Sequence, residues 1–238
     1  MDIHKPKPWH GVREFLKEYL IIVVGVLTAL GAEQAVVVMH HQLEVAEARQ
    51  LIRGELEFNA ARVRSRLDVR LCTERRIAEL QALLDSAADH PTIVTPAWIG
   101  RPNSWVLQDT RWQAAAQAGH AALMRSDELE TYGLAYARQE QLAGEMLTEQ
   151  SDWAKLRTLE HLRRLEPQAA FELNTTLQDA RYRNWRITLT ANQLLGAEQP
   201  LRLRTVTNPT FAPRTICFPT TTPRAEGERL SGRLIGEP

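Results

Sequence analysis

An apolar segment near the N-terminus, YLIIVVGVLTALGAEQAVVVM from Tyr19 to Met39, constrains this chain more than any other feature. Its 21 residues would extend about 31 Å as an α-helix, close to the roughly 30 Å hydrocarbon core of a bilayer. The pair Glu33 and Gln34 interrupts the run, but apolar residues resume after it and continue to Met39. The segment therefore predicts one transmembrane helix at 19–39 that acts as an uncleaved signal anchor.

The same region also matches a cleavable signal peptide. In that interpretation Met1 to Gly31 is removed, and Ala29 and Gly31 are the small residues before the cut. The apolar run that follows Gln34 favours the anchor over cleavage. A core helix of a soluble domain is a third interpretation, and the charged residues on both flanks of so apolar a stretch argue against it.

Basic residues are distributed unevenly around the segment. Four precede it and two follow it within 20 residues: Lys5, Lys7, Arg13 and Lys17 before it, and Arg49 and Arg53 after it. Cytoplasmic flanks of membrane helices carry the excess of Lys and Arg. We therefore expect residues 1–18 in the cytoplasm and the C-terminal part outside, which in a bacterium means an inner-membrane protein with a periplasmic domain.

Two features inside the predicted span bear on its interactions. Gly25, Ala29 and Ala32 lie on one face of the helix, and a face of small residues lets two helices approach closely. Two interpretations stay open: helices associate through this face, or small residues are simply common in membrane helices. Glu33 is either an intramembrane polar site, since carboxylates in a bilayer are costly and often functional, or a residue at the outer headgroups.

From residue 40 to about residue 88 the pattern is that of one long amphipathic helix. Apolar residues recur at steps of three and four up to Leu71, as on one stripe of a helix, and the stripe continues from Ile77: Ile52, Leu56, Ala60, Val63, Leu67, Leu71, Ile77, Leu80 and Leu84. Such a stripe has to be buried, so we expect it to pack against later helices, against a second copy, or against both. The arginines at 62–76 are expected on a solvated face or in inter-helix ion pairs.

Three shorter helices are predicted after an irregular connector. Thr110 followed by Gln113 matches a capping box at the start of the first. Helices at about 126–165 and at Pro167–Gly196 are joined by a short link, which predicts an antiparallel hairpin. We expect the last helix to bury a stripe formed by Phe171, Leu177, Trp185 and Leu189.

The C-terminal part, 200–238, holds six of the twelve prolines and a threonine cluster, and we expect an irregular tail. No second apolar segment long enough to cross a membrane occurs in the sequence. The sequence therefore predicts an all-α protein in which the transmembrane helix at 19–39 continues into the long amphipathic helix. That helix and the hairpin form a helical domain at 40–199.

Cys72 and Cys217 are the only cysteines, too few for a four-cysteine zinc site. Cys217 lies between Ile216 and Phe218, an apolar triplet that needs a docking site if it is to leave water. Two alternatives stay open. One is a disulfide between the two cysteines, which requires an oxidising compartment such as the periplasm. The other is two unpaired thiols and a disordered tail.

The sequence carries no recognisable chemistry. It has 29 basic and 29 acidic residues and no net charge, so we expect no nucleic-acid partner. G-x-S-x-G, H-E-x-x-H, P-loop and G-x-G-x-x-G motifs do not occur. His40 and Glu44 lie one helical turn apart without an evident third ligand. We therefore expect no metal, no cofactor, no catalytic residue and no enzymatic activity.

Two stretches carry a resemblance. The first is EFLKEYLIIVVGVLTALGAEQAV at Glu14 to Val36, followed by ELEFN at Glu55 to Asn59, and the second is DTRWQAAAQAGHAALMRSDELETYGLAYAR at Asp109 to Arg138. Together they resemble a family of uncharacterised bacterial single-pass membrane proteins, known only as a domain of unknown function. The resemblance implies an N-terminal anchor and a helical C-terminal domain, and it implies no catalytic residue.

These patterns favour a structural or interaction protein: a membrane-anchored helical scaffold or accessory subunit of the bacterial cell envelope. Its expected partners are the bilayer and either a second copy or another envelope protein. The alternative is a periplasmic ligand-binding sensor-like module, because helical bundles on membrane anchors often have that role. Against a sensor, only 18 residues precede the span and no second span leads to a cytoplasmic output domain.

Overall fold

The computed structural model describes residues 11–89, 92–206 and 214–231. The chain divides between Arg49 and Gln50 into two compact units, and each is described by itself.

Six α-helices account for most of the described residues. Their bounds are Val12–Asp68 for α1, Arg70–Asp89 for α2, Thr110–Gln117 for α3, Ser126–Leu156 for α4, Pro167–Ala197 for α5 and Arg224–Ser231 for α6. Extended pairing in the described ranges is limited to one isolated bridge between Thr92 and Arg164. The prediction of an all-α fold is therefore confirmed.

In the first unit, the predicted membrane segment exposes its apolar side chains on every face. Ile21, Leu27 and Val36 are 69%, 63% and 60% exposed. The helix that begins at Val12 contains an 18-residue window of mean hydropathy 2.2, none of which is buried. A helix that is apolar all round has no solvated side. This helix is long and apolar enough to cross a membrane.

In the second unit, most of the predicted stripe of the long helix is buried. Its buried members, each at most 6% exposed, are Ile52, Leu56, Ala60, Val63, Ile77, Leu80 and Leu84. A turn at Val69 then interrupts the helix, because the Val69 amide donates to the Arg66 carbonyl three residues back, at 3.4 Å. Val69 is buried in place of Leu71, which is 66% exposed. The prediction that Leu71 belongs to the stripe is wrong.

One hydrophobic cluster in the core of the second unit lies between α2, α4 and α5. It combines aliphatic and aromatic side chains of these helices with residues of the connector and of the C-terminal part: Val69, Ile77, Leu80, Leu84, Ile93, Ile99, Trp153, Leu156, Leu159, Leu173, Leu177 and Ile216.

Helices α4 and α5 form the predicted antiparallel hairpin. Asp152, late in α4, contacts Arg183 at 2.5 Å, whereas the earlier Glu145 contacts the later Arg186 at 2.6 Å. Pro167 occupies the first turn of α5, where its missing N–H removes no helical hydrogen bond.

The stripe predicted on α5 is wrong in three of its four residues. Leu177 is fully buried, but Phe171, Trp185 and Leu189 are 69%, 57% and 42% exposed. Leu177 and Trp185 are eight residues apart, which separates them by about 80° around a helix, so one narrow face cannot hold both. The face toward the core instead carries Leu173, Leu177, Ala180, Asn184, Ile187, Ala191 and Leu194.

Helix α3 begins without the predicted capping box. Its N-cap residue is Asp109, which makes no side-chain cap hydrogen bond. The Thr110 hydroxyl donates to Glu55 Oε2 instead, at 3.0 Å. After the helix, Gly119 has φ +79°, the left-handed conformation in which glycine commonly ends helices.

Within the predicted irregular tail, residues 214–231 contain regular turns. Thr215–Cys217 form a 3-10 turn, and α6 follows. Ile216 is fully buried in the core of the second unit. This part of the C-terminal segment is therefore packed onto the domain.

Candidate functional site

The two stretches that carry the family resemblance meet at Glu55. Its carboxylate accepts hydrogen bonds from the Tyr136 hydroxyl at 2.7 Å, the Thr110 hydroxyl at 3.0 Å and the Arg111 amide at 3.0 Å. Glu55 is only 6% exposed. A buried carboxylate is tolerated when such donors compensate for the lost water, so this one carboxylate ties α1 to α3 and α4.

A second chain of hydrogen bonds continues from Asn59, one turn along α1. The Asn59 side chain accepts from the Gln108 amide at 3.0 Å and donates to the Gln108 carbonyl at 2.6 Å, which satisfies both backbone groups of an irregular segment. It also donates to Gln139 Oε1 at 2.8 Å, and Gln139 Nε2 donates to Glu198 Oε1 at 3.2 Å. We call Glu55, Asn59, Tyr136, Gln139 and Glu198 the polar junction.

Aromatic rings cover one side of the polar junction. The Trp112 ring stacks on Tyr136 with centroids 5.4 Å apart and planes 12° apart, and it also contacts Tyr132 at 6.1 Å. Tyr132 is 1% exposed, while Trp112 is half-buried. The stacking holds α3 against α4 and restricts water access to the Tyr136 hydroxyl.

Burial changes the titration of two groups in the polar junction. It raises the pKa of Tyr136, with the neighbouring Glu55 carboxylate adding to the effect, so this phenol is a neutral donor at physiological pH. Burial also raises the pKa of Glu198 to about 7, against the opposing effects of the Gln139 hydrogen bond and the Arg64 charge. Glu198 therefore changes its charge close to neutral pH.

A buried ion pair lies further along the same helices. Arg66 Nη2 donates to Glu149 Oε1 at 2.7 Å and to Asn184 Oδ1 at 3.2 Å, joining α1, α4 and α5. Both charged side chains are at most 1% exposed. Burial raises the pKa of Glu149, and the Arg66 charge opposes that rise. Removing one partner of such a pair leaves an uncompensated buried charge, which makes the pair a strong constraint on helix position.

The C-terminal segment is attached to α2 by a disulfide between Cys72 and Cys217, with the Cα atoms 4.9 Å apart. The Arg76 guanidinium, on the same helix, donates to backbone carbonyls of two segments: those of Trp98, Ile99, Ile216 and Phe218. Arg76 is 2% exposed. One arginine thus satisfies carbonyls of the connector and of the C-terminal segment together.

Trp98 completes this attachment. Its indole N–H donates to the Thr215 carbonyl at 3.0 Å, and α6 places Gly227 directly against the ring. A Cβ at position 227 would overlap the indole, so only glycine fits there. Gly100 has φ +72° and lies against the Thr215 carbonyl, which also requires glycine.

The polar groups of the second unit mostly hold the chain together. Glu57 accepts from the amide and the guanidinium of Arg204, and Arg53 donates to the Leu201 carbonyl at 2.6 Å. In the part of the chain that the structure describes, no three His, Cys, Asp or Glu side chains are grouped to bind a metal ion. The arrangement fixes backbone segments relative to one another.

The predicted association face and Glu33 lie on the exposed surface of α1. Gly25, Ala29, Ala32 and Glu33 are all exposed, and among the described residues nothing beyond the adjacent turns of the same helix lies within 4 Å of a Cβ built on Gly25. The face is open to another helix, and its association stays a prediction. His40 contacts Glu44 at 3.0 Å. Lys5 and Lys7, which contribute to the predicted orientation, lie outside the described residues.

Reasoning from sequence missed most of the polar junction. Glu55 and Asn59 contribute only to the quoted resemblance, and Tyr136, Gln139 and Glu198 are not singled out. The usable signal was the position of these polar residues around the helix. Asn59 lies next to Ala60, and Arg66 lies three residues after Val63, so both fall on the buried side of the stripe. A polar residue on an apolar face predicts a buried partner.

No protein-family model, no curated protein and no solved structure matches this chain. The resemblance to a family of bacterial membrane proteins therefore stays an expectation from sequence.

Proposed function

We propose that this chain is a membrane-anchored helical scaffold or accessory protein of the bacterial cell envelope. In this proposal residues 19–39 cross the inner membrane once, residues 1–18 lie in the cytoplasm, and the helical domain lies in the periplasm. The observation that carries the proposal is the apolar stretch of α1, exposed on every face and long enough to span a membrane. Apolar surface of that extent is unfavourable in water and favourable in lipid.

The scaffold role is supported by how the buried Glu55 and Asn59 side chains are used. The Glu55 oxygens accept three hydrogen bonds from the protein, and the Asn59 amide is occupied by Gln108 and Gln139. Side chains that already form hydrogen bonds with other parts of the protein are poorly placed to bind or convert a substrate. They fit a rigid framework that presents a surface.

A periplasmic location is supported by the cysteines. The structure joins Cys72 to Cys217 across 145 residues of sequence, and such bonds persist in oxidising compartments and are rare in the cytosol. The excess of basic residues before the span points the same way.

Membrane extraction tests the anchor. The protein should stay with membranes at alkaline pH and dissolve only in detergent. Leu27→Arg places a charge in the middle of the predicted span and should release the protein or block its insertion, since a central arginine costs at least about 2.5 kcal/mol. The matched control is Leu147→Arg, at a leucine that is 73% exposed on α4 and should leave extraction unchanged. Release of the wild-type protein by alkali would contradict the anchor.

A sensor-like module is the second candidate, and one observation favours it. A groove of about 390 Å³ runs between α2 and the irregular segments, lined by Leu80, Leu83, Val94, Pro96 and Thr220 among others. A specific ligand would raise the melting temperature with increasing concentration. A screen of small molecules that stabilises wild-type protein, but not a variant with Leu83→Arg in the groove, would favour this function over the scaffold.

A further inference from the structure

Two buried tryptophans of the second unit differ in what their indole N–H groups contact. The Trp98 indole N–H donates to the Thr215 carbonyl at 3.0 Å, and Trp98 is 2% exposed. Trp153, on α4, is 0% exposed, yet its indole N–H forms no hydrogen bond of normal geometry with any described residue. Nearly all buried donors in folded proteins bind a protein group or an ordered water. The Trp153 indole therefore needs an acceptor.

Arg66 carries further donors without a partner. Its Nη2 atom donates to Glu149 and to Asn184, but Nε and Nη1 form no hydrogen bond within the described ranges and are closed to solvent. A guanidinium has five N–H donors, one of them on Nε and two on each Nη atom. Three donors of this fully buried side chain are thus left over.

The donors of Arg66 and Trp153 adjoin one carboxylate, that of Glu149. Arg66 Nη2 lies 2.7 Å from Glu149 Oε1 and 3.0 Å from Oε2. Trp153 follows Glu149 by one turn of α4. Burial raises the pKa of Glu149, and the Arg66 charge and the nearby Trp153 indole N–H oppose that rise. Unpartnered donors from α1 and α4 therefore surround a single buried carboxylate.

The charges at this position decide which kind of ligand supplies the acceptor. Arg66 and Glu149 already neutralise each other, and the neighbouring Asp152 has its own partner on α5. An anion would add an uncompensated buried negative charge, which is strongly unfavourable. A water molecule is neutral and has two lone pairs and two hydrogens. It can accept from Arg66 and Trp153 while it donates to the remaining lone pairs of Glu149.

Water also has a short route to this position through Asn184. The Asn184 side chain accepts from Arg66 Nη2 at 3.2 Å and is itself 3% exposed. It also lines a groove of about 330 Å³ between α2 and α5. Asn184 therefore connects the solvent in this groove with the buried guanidinium.

We propose that Arg66, Glu149 and Trp153 form an internal water-binding site where α1 and α4 meet. The bound water accepts hydrogen bonds from the guanidinium and the indole and donates to the carboxylate. Internal waters typically make about three hydrogen bonds and are costly to remove. The water is then part of the fold, and it holds α1 against α4 together with the direct ion pair. This site does not depend on the proposed membrane anchor.

The two indole N–H groups serve as probe and matched control. The full-length chain with isotope-labelled tryptophan, in detergent micelles and with its disulfide intact, is studied by nuclear Overhauser spectroscopy in the rotating frame. We expect a cross-peak between the Trp153 indole proton and water, with the sign of a dipolar contact and opposite to that of proton exchange. The Trp98 indole proton should show no such cross-peak, because the Thr215 carbonyl is its acceptor.

A crystal structure of the same protein provides the second measurement. It should show a water within hydrogen-bonding distance of Arg66 Nη1 and of the Trp153 indole nitrogen. A protein acceptor on the Trp153 indole, or a bromide ion at this position after a soak, would overturn the proposal. The absence of the Trp153 cross-peak, or equal cross-peaks for Trp153 and Trp98, would overturn it as well.

The double variant Arg66→Met, Glu149→Leu separates this site from other water near Trp153. Both charged partners are removed together, and apolar replacement of a whole buried pair is often tolerated. The variant should keep the wild-type circular dichroism spectrum and lose the Trp153 cross-peak. A folded variant that keeps the cross-peak would contradict the proposed site. If the variant does not fold, the wild-type cross-peaks and the crystal structure decide the proposal.

Discussion

The Tyr136 hydroxyl donates a hydrogen bond to the buried Glu55 carboxylate at 2.7 Å, across 81 positions of sequence. This contact joins the two stretches that are most distinctive in the sequence. It also explains why a carboxylate is tolerated on the inner side of α1, because burial without donors would cost several kcal/mol.

Tyr136→Phe should therefore destabilise the domain by about 1–3 kcal/mol, the cost of leaving one buried acceptor site unsatisfied. Urea unfolding of the full chain in a mild detergent measures the change. Tyr182→Phe is the matched control, because Tyr182 is exposed, and it should change stability by less than about 0.5 kcal/mol. Equal effects of the two variants would mean that the Glu55–Tyr136 bond contributes nothing specific.

Leu177→Ala and Trp185→Ala should differ sharply, although both alter large apolar residues of α5. Leu177 is fully buried, and its truncation should cost about 2–5 kcal/mol. Trp185 is 57% exposed, so its truncation should cost less than about 1 kcal/mol in the monomer. Circular dichroism during urea titration at low protein concentration measures both, and a large loss for Trp185→Ala alone would reverse the assignment of the buried face.

Stability should fall as the pH rises because of Glu198. Its pKa is about 7 in the folded protein, above the ordinary glutamate value of 4.5 that applies to the unfolded chain. Folding therefore favours the protonated form, and this contribution is present below about pH 4.5 and lost progressively toward pH 7. Glu198→Gln keeps the side chain uncharged, so at pH 8 the variant should be more stable than wild type by about 3 kcal/mol at most. Near pH 4.5 the two proteins should be similar, and a difference independent of pH would contradict the assignment.

Loss of the Cys72–Cys217 bond should release the C-terminal segment. Chain entropy for a link across 145 residues corresponds to as much as ~5 kcal/mol. We expect Cys217→Ser to lower stability by a few kcal/mol and to increase hydrogen exchange in residues 214–231. Reducing agent should have the same effect on wild type and none on the double serine variant. Alkylation of both thiols in wild-type protein unfolded without reductant would show that the bond does not form.

The helical pattern made the fold predictable, because α1, α2, α4 and α5 each carry apolar residues at helical spacing. Which face of α5 is buried was not predictable in this way. Leu177 and Trp185 both lie on apolar stripes, and only the position of α2 and α4 decides which stripe becomes core. The spacing of apolar residues shows which of them share a helix face, but it does not show which face packs against another helix.

The attachment of the C-terminal segment was predictable only in part. The triplet Ile216–Phe218 identifies an apolar spot in a polar region, and Cys72 is the one cysteine available to Cys217. The contribution of Arg76 could not be read from the sequence, because its acceptors are backbone carbonyls of distant segments. Every residue type carries a backbone carbonyl, so the residue that accepts such a hydrogen bond cannot be recognised from its type.

In the proposed topology, residues 19–39 anchor this protein and its domain lies outside the cytoplasm. The most direct measurement is a reporter enzyme that is active only outside the cytoplasm, fused after Pro238, with the same reporter fused after Glu18 as the cytoplasmic control. N-terminal sequencing of the membrane-bound protein shows whether the segment before Ala32 is retained. We predict an active C-terminal fusion, an inactive control and an intact N-terminus. An inactive C-terminal fusion would contradict the orientation, and a mature protein that begins after Gly31 would contradict the anchor.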